Sequence, residues 1–309
     1  VEASLLHESM ERRFLETGKP EGLTCIHALG IGDRESRGMN RFAHEGMVRR
    51  VIGGHWVWSP RMQQLARENK IEAYVLPGGV IMQLMREVAA KRPGLITHVG
   101  LGTFVDPQKD GGRMNEAAQD PLVERITIDG QQYLRYLPLP VDVALLKGST
   151  ADEDGNISLE EEPANLDIYA MAAAAHNSGG KVIFQVRRKV PRGKLSARSV
   201  RIPSAIVDVV VVDPDQRQSY EIVYDPSISG EQRDDQLSLE APDFSLRLAI
   251  ARRAKTELRE GDVINFGFGI PDQIASMLAA EGTDERYYQT IEHGTYGGKL
   301  LTGTLFGYA

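Results

Sequence analysis

The sequence predicts an α/β protein built from two domains of mostly parallel, open sheets. Two observations predict it. Short apolar runs of strand length alternate with segments of helical pattern, and strands separated by helices need crossover connections, which make a sheet parallel. One run, residues 205–212, is almost unbroken in apolar character, as suits a strand covered on both faces.

The first domain is expected over residues 1–213. Thr24-Cys25-Ile26-His27-Ala28-Leu29 reads as a strand running into the turn Gly30-Ile31-Gly32-Asp33. Residues 71–76 read as a second strand, ended by Pro77-Gly78-Gly79, and residues 80–91 as a helix closed by Pro93-Gly94. Strands follow at 95–100 and 141–146. Residues 165–176 read as a helix with Asn165 at its cap, Asp167 in its first turn and Gly179-Gly180 beyond its end. The run 181–186 is the next strand and 205–212 the last. Gln131-Gln132-Tyr133-Leu134-Arg135-Tyr136 and Ile157-Ser158-Leu159 look like hairpin strands, which keeps an α+β mixture open as the alternative.

Residues 214–243 form the expected linker. The stretch is polar and contains Asp225-Pro226, Ser229-Gly230 and Asp234-Asp235. The start of a second domain is expected over 244–309. Residues 244–260 read as a helix with Leu246, Leu248, Ala249 and Ile250 on one side, ended by Gly261. A strand at 262–266 enters Gly267-Phe268-Gly269-Ile270-Pro271, residues 272–280 read as a helix ended by Gly282, and a strand at 287–291 delivers Glu292. The chain starts at Val1 without Met and stops at Gly307-Tyr308-Ala309 soon after Leu305-Phe306. The expectation is a piece of something longer, inactive with these residues alone.

Composition narrows the function. The chain has 309 residues, with 41% hydrophobic and 26% charged, an ordinary globular balance. A formal charge of -7 argues against a general nucleic-acid binder while leaving room for a local basic patch. Cys25 is the only cysteine, so no disulfide forms within the chain and a reducing cytoplasm is the expected location. No apolar run approaches the ~20 residues of a membrane span, so no membrane partner is expected.

Hydrolytic and metal motifs are missing. No Gly-x-Ser-x-Gly occurs, and His44-Glu45 lacks the second histidine of a zinc peptidase. Asp152-Glu153-Asp154-Gly155-Asn156 has the wrong spacing for a calcium loop and reads as a hairpin turn. No metal site is expected. Gly267-x-Gly269 is half of a dinucleotide fingerprint, but Asp272 holds the third glycine position and puts a negative charge where a pyrophosphate would lie. The turn then either admits a ligand to the backbone or only links strand to helix. Arg187, Arg188, Lys189, Arg192, Lys194, Arg198 and Arg201 crowd one loop-like stretch. They could hold the phosphates of a nucleotide-like ligand, though a solvated loop is the better account on charge alone. Glu292 stands at the end of an apolar strand before a glycine-rich turn. That placement suits a carboxylate nucleophile flanked by amides that hold an oxyanion, and equally a plain loop acid.

Glu292-His293-Gly294 with Gly297-Gly298 resembles the active-site motif of class I coenzyme A transferases. Gly267-Phe268-Gly269-Ile270-Pro271 is similar to the glycine loop of their second domain. Gly30-Ile31-Gly32-Asp33, Gly53-Gly54-His55-Trp56, Gly100-Leu101-Gly102-Thr103-Phe104-Val105-Asp106-Pro107 and Ser199-Val200-Arg201-Ile202-Pro203 resemble first-domain segments of the propionate/acetate branch. The resemblance departs at His293, where better-known relatives have Asn, and at Gly78, where some have Gln. It implies two coenzyme A transferase-type α/β domains, the second incomplete, and transfer of coenzyme A (CoA) from a short-chain acyl-CoA to a free carboxylate through a glutamyl-CoA thioester on Glu292. It implies acyl-CoA and short-chain carboxylate partners, a homo-oligomer, CoA as co-substrate and no tightly bound cofactor. Gly267, Gly269, Ile270, Gly297 and Gly298 become candidate oxyanion or CoA contacts. A thioester hydrolase using the same glutamate, and a non-catalytic subunit binding CoA or a sugar phosphate, are the alternatives.

Overall fold

The computed structural model describes residues 2–232, 239, 241–292 and 294–306. Asp234-Asp235, His293 and the terminal Gly307-Tyr308-Ala309 lie outside the described residues. In chain order the elements are α1 (Ser4–Thr17), β1 (Leu23–His27), β2 (Val48–Gly53), α2 (Pro60–Arg67), β3 (Glu72–Val75), α3 (Gly78–Ala89), β4 (Leu95–Thr97), β5 (Val123–Ile128), β6 (Gln131–Tyr136), β7 (Val143–Asp152), β8 (Ile157–Ser158), α4 (Ile168–Asn177), β9 (Lys181–Val190), β10 (Val200–Ile202), β11 (Val209–Val212), α5 (Leu246–Lys255), β12 (Val263–Asn265), α6 (Asp272–Ala280) and β13 (Tyr288–Thr290). The fold is α/β with mostly parallel open sheets. Contacts divide it into two units, Val1–Leu159 with Asp167–Gln216, and Glu160–Leu166 with Arg217–Ala309.

In the first unit, β1, β2 and β3 pair in parallel in that order. Alternation along β2 sends Val51 into a cluster with Met47, Met62 and Leu65, and Ile52 into one with Tyr74, Ile81 and Leu84. A parallel sheet filled on both faces is the result. Two glycines mark the close approach of the loops after these strands. A Cβ on Gly54 would lie 1.9 Å from the Ala28 carbonyl oxygen, and one on Gly30 would lie 2.1 Å from the His55 ring. His55 Nε2 accepts the Gly30 N–H at 3.0 Å.

The central sheet has the order β10-β8-β7-β9-β11. β7, β9 and β11 are parallel, while β8 turns back antiparallel to β7 and β10 pairs antiparallel to β8. One face is apolar: Leu146, Phe184, Val186 and Ile202 pack with Ala172 and Ala175 of α4. The other face buries Lys147, Ser149 and Gln185. Gln185 Oε1 accepts the N–H groups of Leu5 (2.9 Å) and Leu6, satisfying donors that the first turn of α1 cannot pair internally. A third sheet, β4-β6-β5, is antiparallel throughout.

Several expected elements shift. The helix expected from Asn165 begins at Ile168, with Asp167 at the cap position rather than in the first turn. Leu166 has φ 42°, a left-handed conformation that a helix cannot run through. The strand expected over 205–212 starts only at Val209, after a 3-10 turn at Ser204–Ile206. It is an edge strand, and Val209 and Val212 are exposed, not covered on both faces. The strand at 95–100 shrinks to β4 and joins the antiparallel sheet. The segments 131–136 and 157–158 are antiparallel strands, as their hairpin character suggested.

In the second unit, β12 and β13 form a parallel pair. Leu248 and Ala251 of α5, Phe266, Ile274 and Leu278 of α6, and Ile291 make its core. Leu246 and Ile250, expected on the inner side of α5, are exposed. Helix periodicity of 3.6 residues places Leu248 and Ala251 on one face and swings Leu246 and Ile250 away from it.

Candidate functional site

Glu292 follows β13 in a turn that closes on itself. The Gly294 N–H donates to the Ile291 carbonyl oxygen at 3.0 Å, and the Ile291 N–H donates to Thr295 at 3.2 Å. Farther out, the Gly297 N–H returns to the Gln289 carbonyl oxygen at 2.9 Å. The turn therefore holds Glu292 at its tip, beyond the carboxyl end of a parallel strand, and the residue is exposed. In open α/β sheets that end of the strands is where ligands bind. Gly297 and Gly298 have φ of 73° and 72°. Two consecutive left-handed residues demand glycine, which explains the pair in the sequence.

The neighbouring strand delivers the second glycine turn. The Phe266 N–H donates to the Thr290 carbonyl oxygen at 2.9 Å, fixing the start of Gly267-Phe268-Gly269-Ile270-Pro271 beside the end of β13. Phe268 packs edge-on to Phe306, ring centroids 5.5 Å apart. Within the turn that follows β13, against Phe266, lies a small hollow of about 10 Å³, lined by Phe266, Thr290, Ile291, Thr295, Gly297 and Gly298 among others; neither Glu292 nor the Gly267-Phe268-Gly269-Ile270-Pro271 turn lines it. It has room for a single water, so a larger group would lie across its mouth.

The candidate amides differ in what they have left to give. The Gly269 N–H donates to Asp272 Oδ2 at 2.9 Å, and the Gly297 N–H is held by Gln289. No hydrogen bond joins the N–H of Gly267, Ile270 or Gly298 to another described residue. Of the amides expected around Glu292, these three remain open to a ligand.

Asp272, expected as the first residue of a helix and as a charge unsuited to a pyrophosphate, has a further role. In the structure it is buried at the first position of α6, and its carboxylate ties the glycine turn down through Gly269. Burial pushes its pKa up from 3.8, against the opposing pull of the Gly269 N–H and Arg247. An acid in the first turn of a helix is favoured by the helix dipole, but its bond to Gly269 depends on the turn's geometry.

Other expected features fall outside this turn. Asp152 Oδ1 accepts the N–H groups of Asp154 (3.0 Å) and Asn156 (2.9 Å), which makes Asp152-Glu153-Asp154-Gly155-Asn156 a hairpin turn. Among the described residues no group of three or more His, Cys, Asp or Glu is placed to hold a metal ion. Among the same residues no helix is long and apolar enough to cross a membrane.

The coenzyme A transferase family model matches residues 14–213. The chain is 40% identical to the acetate CoA-transferase YdiF of Escherichia coli (strain K12), over 99% of this chain and 58% of that protein. It is 43% identical to the caffeate CoA-transferase of Acetobacterium woodii, over 92% of this chain and 55% of that one. A crystal structure of the acyl-CoA transferase YdiF from Escherichia coli O157:H7, as a thioester complex with CoA, superposes with a TM-score of 0.88, covering 95% of this chain and 59% of that one. The chain thus spans a little over half the length of these relatives. The match through residues 14–213 and the shared architecture make this chain a member of the coenzyme A transferase family.

Proposed function

We propose that the protein is an acyl-CoA:carboxylate CoA-transferase in which Glu292 is the nucleophile. The observation that carries the reading is the placement of Glu292 at the tip of a self-closed turn, with the unspent amides of Gly267, Ile270 and Gly298 on the flanking glycine turns. Similarity to acetate and caffeate CoA-transferases along nearly the whole chain supports it.

The chemistry follows from the groups present. A Glu292 carboxylate oxygen attacks the thioester carbonyl carbon, and the C–S bond breaks to leave a mixed anhydride and the CoA thiolate. The thiolate attacks the Glu292 carbonyl carbon and expels the free carboxylate, leaving a glutamyl-CoA thioester. An acceptor carboxylate then runs both steps in reverse. Each tetrahedral centre carries an oxyanion, and backbone N–H donors aimed at it supply the stabilisation. The products conserve every electron pair, so the residues need only position, polarise and exclude water. The reading includes a cytoplasmic protein acting on short-chain substrates as a homo-oligomer, with CoA as co-substrate, and a first domain over 1–213 joined by a linker at 214–243 to the domain that carries Glu292.

Incubation of the protein with acyl-CoA, borohydride reduction and peptide mass spectrometry tests the intermediate. Modification confined to the Glu292 peptide is expected, and Glu292→Gln should lower transfer at least ~1,000-fold. Undiminished transfer by that variant refutes the assignment. The exposure of Glu292 favours one second reading, thioester hydrolysis by the same residue, because water reaches it. CoA release that is the same with and without acetate would select hydrolysis.

A further inference from the structure

We propose that the connection between β9 and β10 is an anion-binding rim for a ligand bearing two or more phosphate groups. The strand order β10-β8-β7-β9 makes this connection cross the end of the β7–β8 hairpin. Two anchors hold it there. The Arg192 guanidinium pairs with Asp154 at 2.6 Å, and the Arg192 backbone N–H donates to Glu153 Oε2 at 3.2 Å. Just past β10 the Ser204 N–H donates to Asn156 Oδ1 at 2.9 Å, fixing the exit of β10 on the same hairpin. Between the anchors the backbone is folded into two turns, Lys194 N–H to Pro191 at 3.1 Å and Ser199 N–H to Ser196 at 2.9 Å. The loop is therefore pre-shaped, which lowers the ordering cost of binding.

Arg192, Lys194 and Arg198 on this connection, with Lys189 near the end of β9 and Arg201 on β10, are all exposed. Arg192 is matched by Asp154. Lys189, Lys194, Arg198 and Arg201 have no ion pair or hydrogen bond from their side chains among the described residues. A protein of net charge -7 gathers unmatched cations at the carboxyl end of its parallel strands, the end at which open α/β sheets take ligands. Arginine offers a planar fork for phosphate oxygens and lysine a point charge, so the chemistry selected is phosphate rather than an apolar acid. The net negative chain disfavours a long nucleic acid and favours a small phosphorylated molecule.

That chemistry has two sources, the nucleotide end of CoA or a free phosphorylated metabolite. The proposal stands apart from the role of Glu292, because it is read by binding and not by turnover. Calorimetric titration of the protein with adenosine 3′,5′-bisphosphate and with inorganic pyrophosphate should give saturable binding. The pair Lys194→Glu with Arg198→Glu should weaken it at least ~10-fold at unchanged thermal stability, the loss expected when charge-assisted hydrogen bonds are removed. Glu292→Gln should bind like the parent protein. Weakened binding of CoA in the double variant, with pantetheine unaffected, identifies CoA as the source; an unaltered CoA affinity with lost pyrophosphate binding identifies a free ligand. Absence of saturable binding, or equal affinity of parent and double variant, overturns the proposal.

Discussion

His27 ties a single side chain to the pH dependence of the first unit. It is buried at the end of β1, with Nδ1 2.7 Å from the Leu29 carbonyl oxygen, so that nitrogen carries the proton. Burial pushes its pKa down from 6.5 to about 4, opposed by the Leu29 hydrogen bond and aided by His55. The folded value lies below the unfolded one, so unfolded chains bind the extra proton first. Stability is therefore full above pH ~6.5 and is lost as pH falls towards ~4, by on the order of 3 kcal/mol. Urea unfolding at pH 7 and pH 4.5 should show this loss, and His27→Gln should flatten it. Asp106 acts in the same direction at lower pH. Arg125 holds its carboxylate well below the usual range through bonds of 2.8 and 2.6 Å, helped by the Gly102 and Gln108 N–H groups against the cost of burial. Its contribution is present above pH ~4 and fades as the carboxylate protonates. Asp106→Asn should remove that acid limb of the unfolding curve. Glu292 stands out in the sequence through the motif's resemblance to coenzyme A transferases, since an acid at a strand end is as readily a plain loop acid; its position just after β13 is what the apolar run predicts. The tie from Asp272 to the Gly269 N–H is not legible, because sequence spacing suggests a hydrogen bond to a backbone three residues back only after the turn is known.

Elements were legible where sequence carries both a period and a stop. α6 was read at its observed limits, 272–280, from an apolar stripe between Pro271 and Gly282. β1, β3, β9 and β13 each contain the apolar core of an expected run. Elements without a stop signal were missed or misplaced. α1, β2, α2 and β5 lacked a distinct apolar block, although Ser59-Pro60 at the head of α2 is a helix-start pattern. α4 was read too early because Asn165 caps well in isolation, whereas the left-handed Leu166 delays the helix. Apolar content alone also misjudged coverage: four consecutive valines in β11 sit on a sheet edge. Loop packing after β1 and β2 supplies a test at this scale. Gly54 has an ordinary φ, so only space requires glycine there, and its Cβ would strike the Ala28 carbonyl oxygen. Gly54→Ala should destabilise the first unit by about 3 kcal/mol or more, since backbone must move to relieve the overlap. A chemical-denaturation midpoint equal to the parent's would show that the two loops are not locked together.

At the scale of the molecule, one thiol makes the opening of the first unit measurable. Cys25 lies on β1, half-buried against the cluster of Met47, Met62 and Leu65, and desolvation on that side pushes its pKa up to about 12. Alkylation requires the thiolate, and an exposed thiol has a pKa of ~8.5. At pH 8 the folded chain should thus react on the order of 1,000-fold more slowly than the unfolded chain. States in which β1 has separated from its cover restore an ordinary thiol acidity and react faster, so the labelling rate rises with the population of that opening. Because no other cysteine competes, the rate needs no assignment. The free energy of that opening is lowered by Gly54→Ala, whose loop abuts the end of β1, and each ~1.4 kcal/mol lost should speed labelling tenfold. A stabilising shift from pH 4.5 to pH 7 through His27 should appear in the opening free energy once the rate is corrected for thiolate fraction. If native Cys25 reacts as fast as the unfolded chain, β1 is not packed against Met47, Met62 and Leu65 as described, and the packing that aligns the loops after β1 and β2 fails with it.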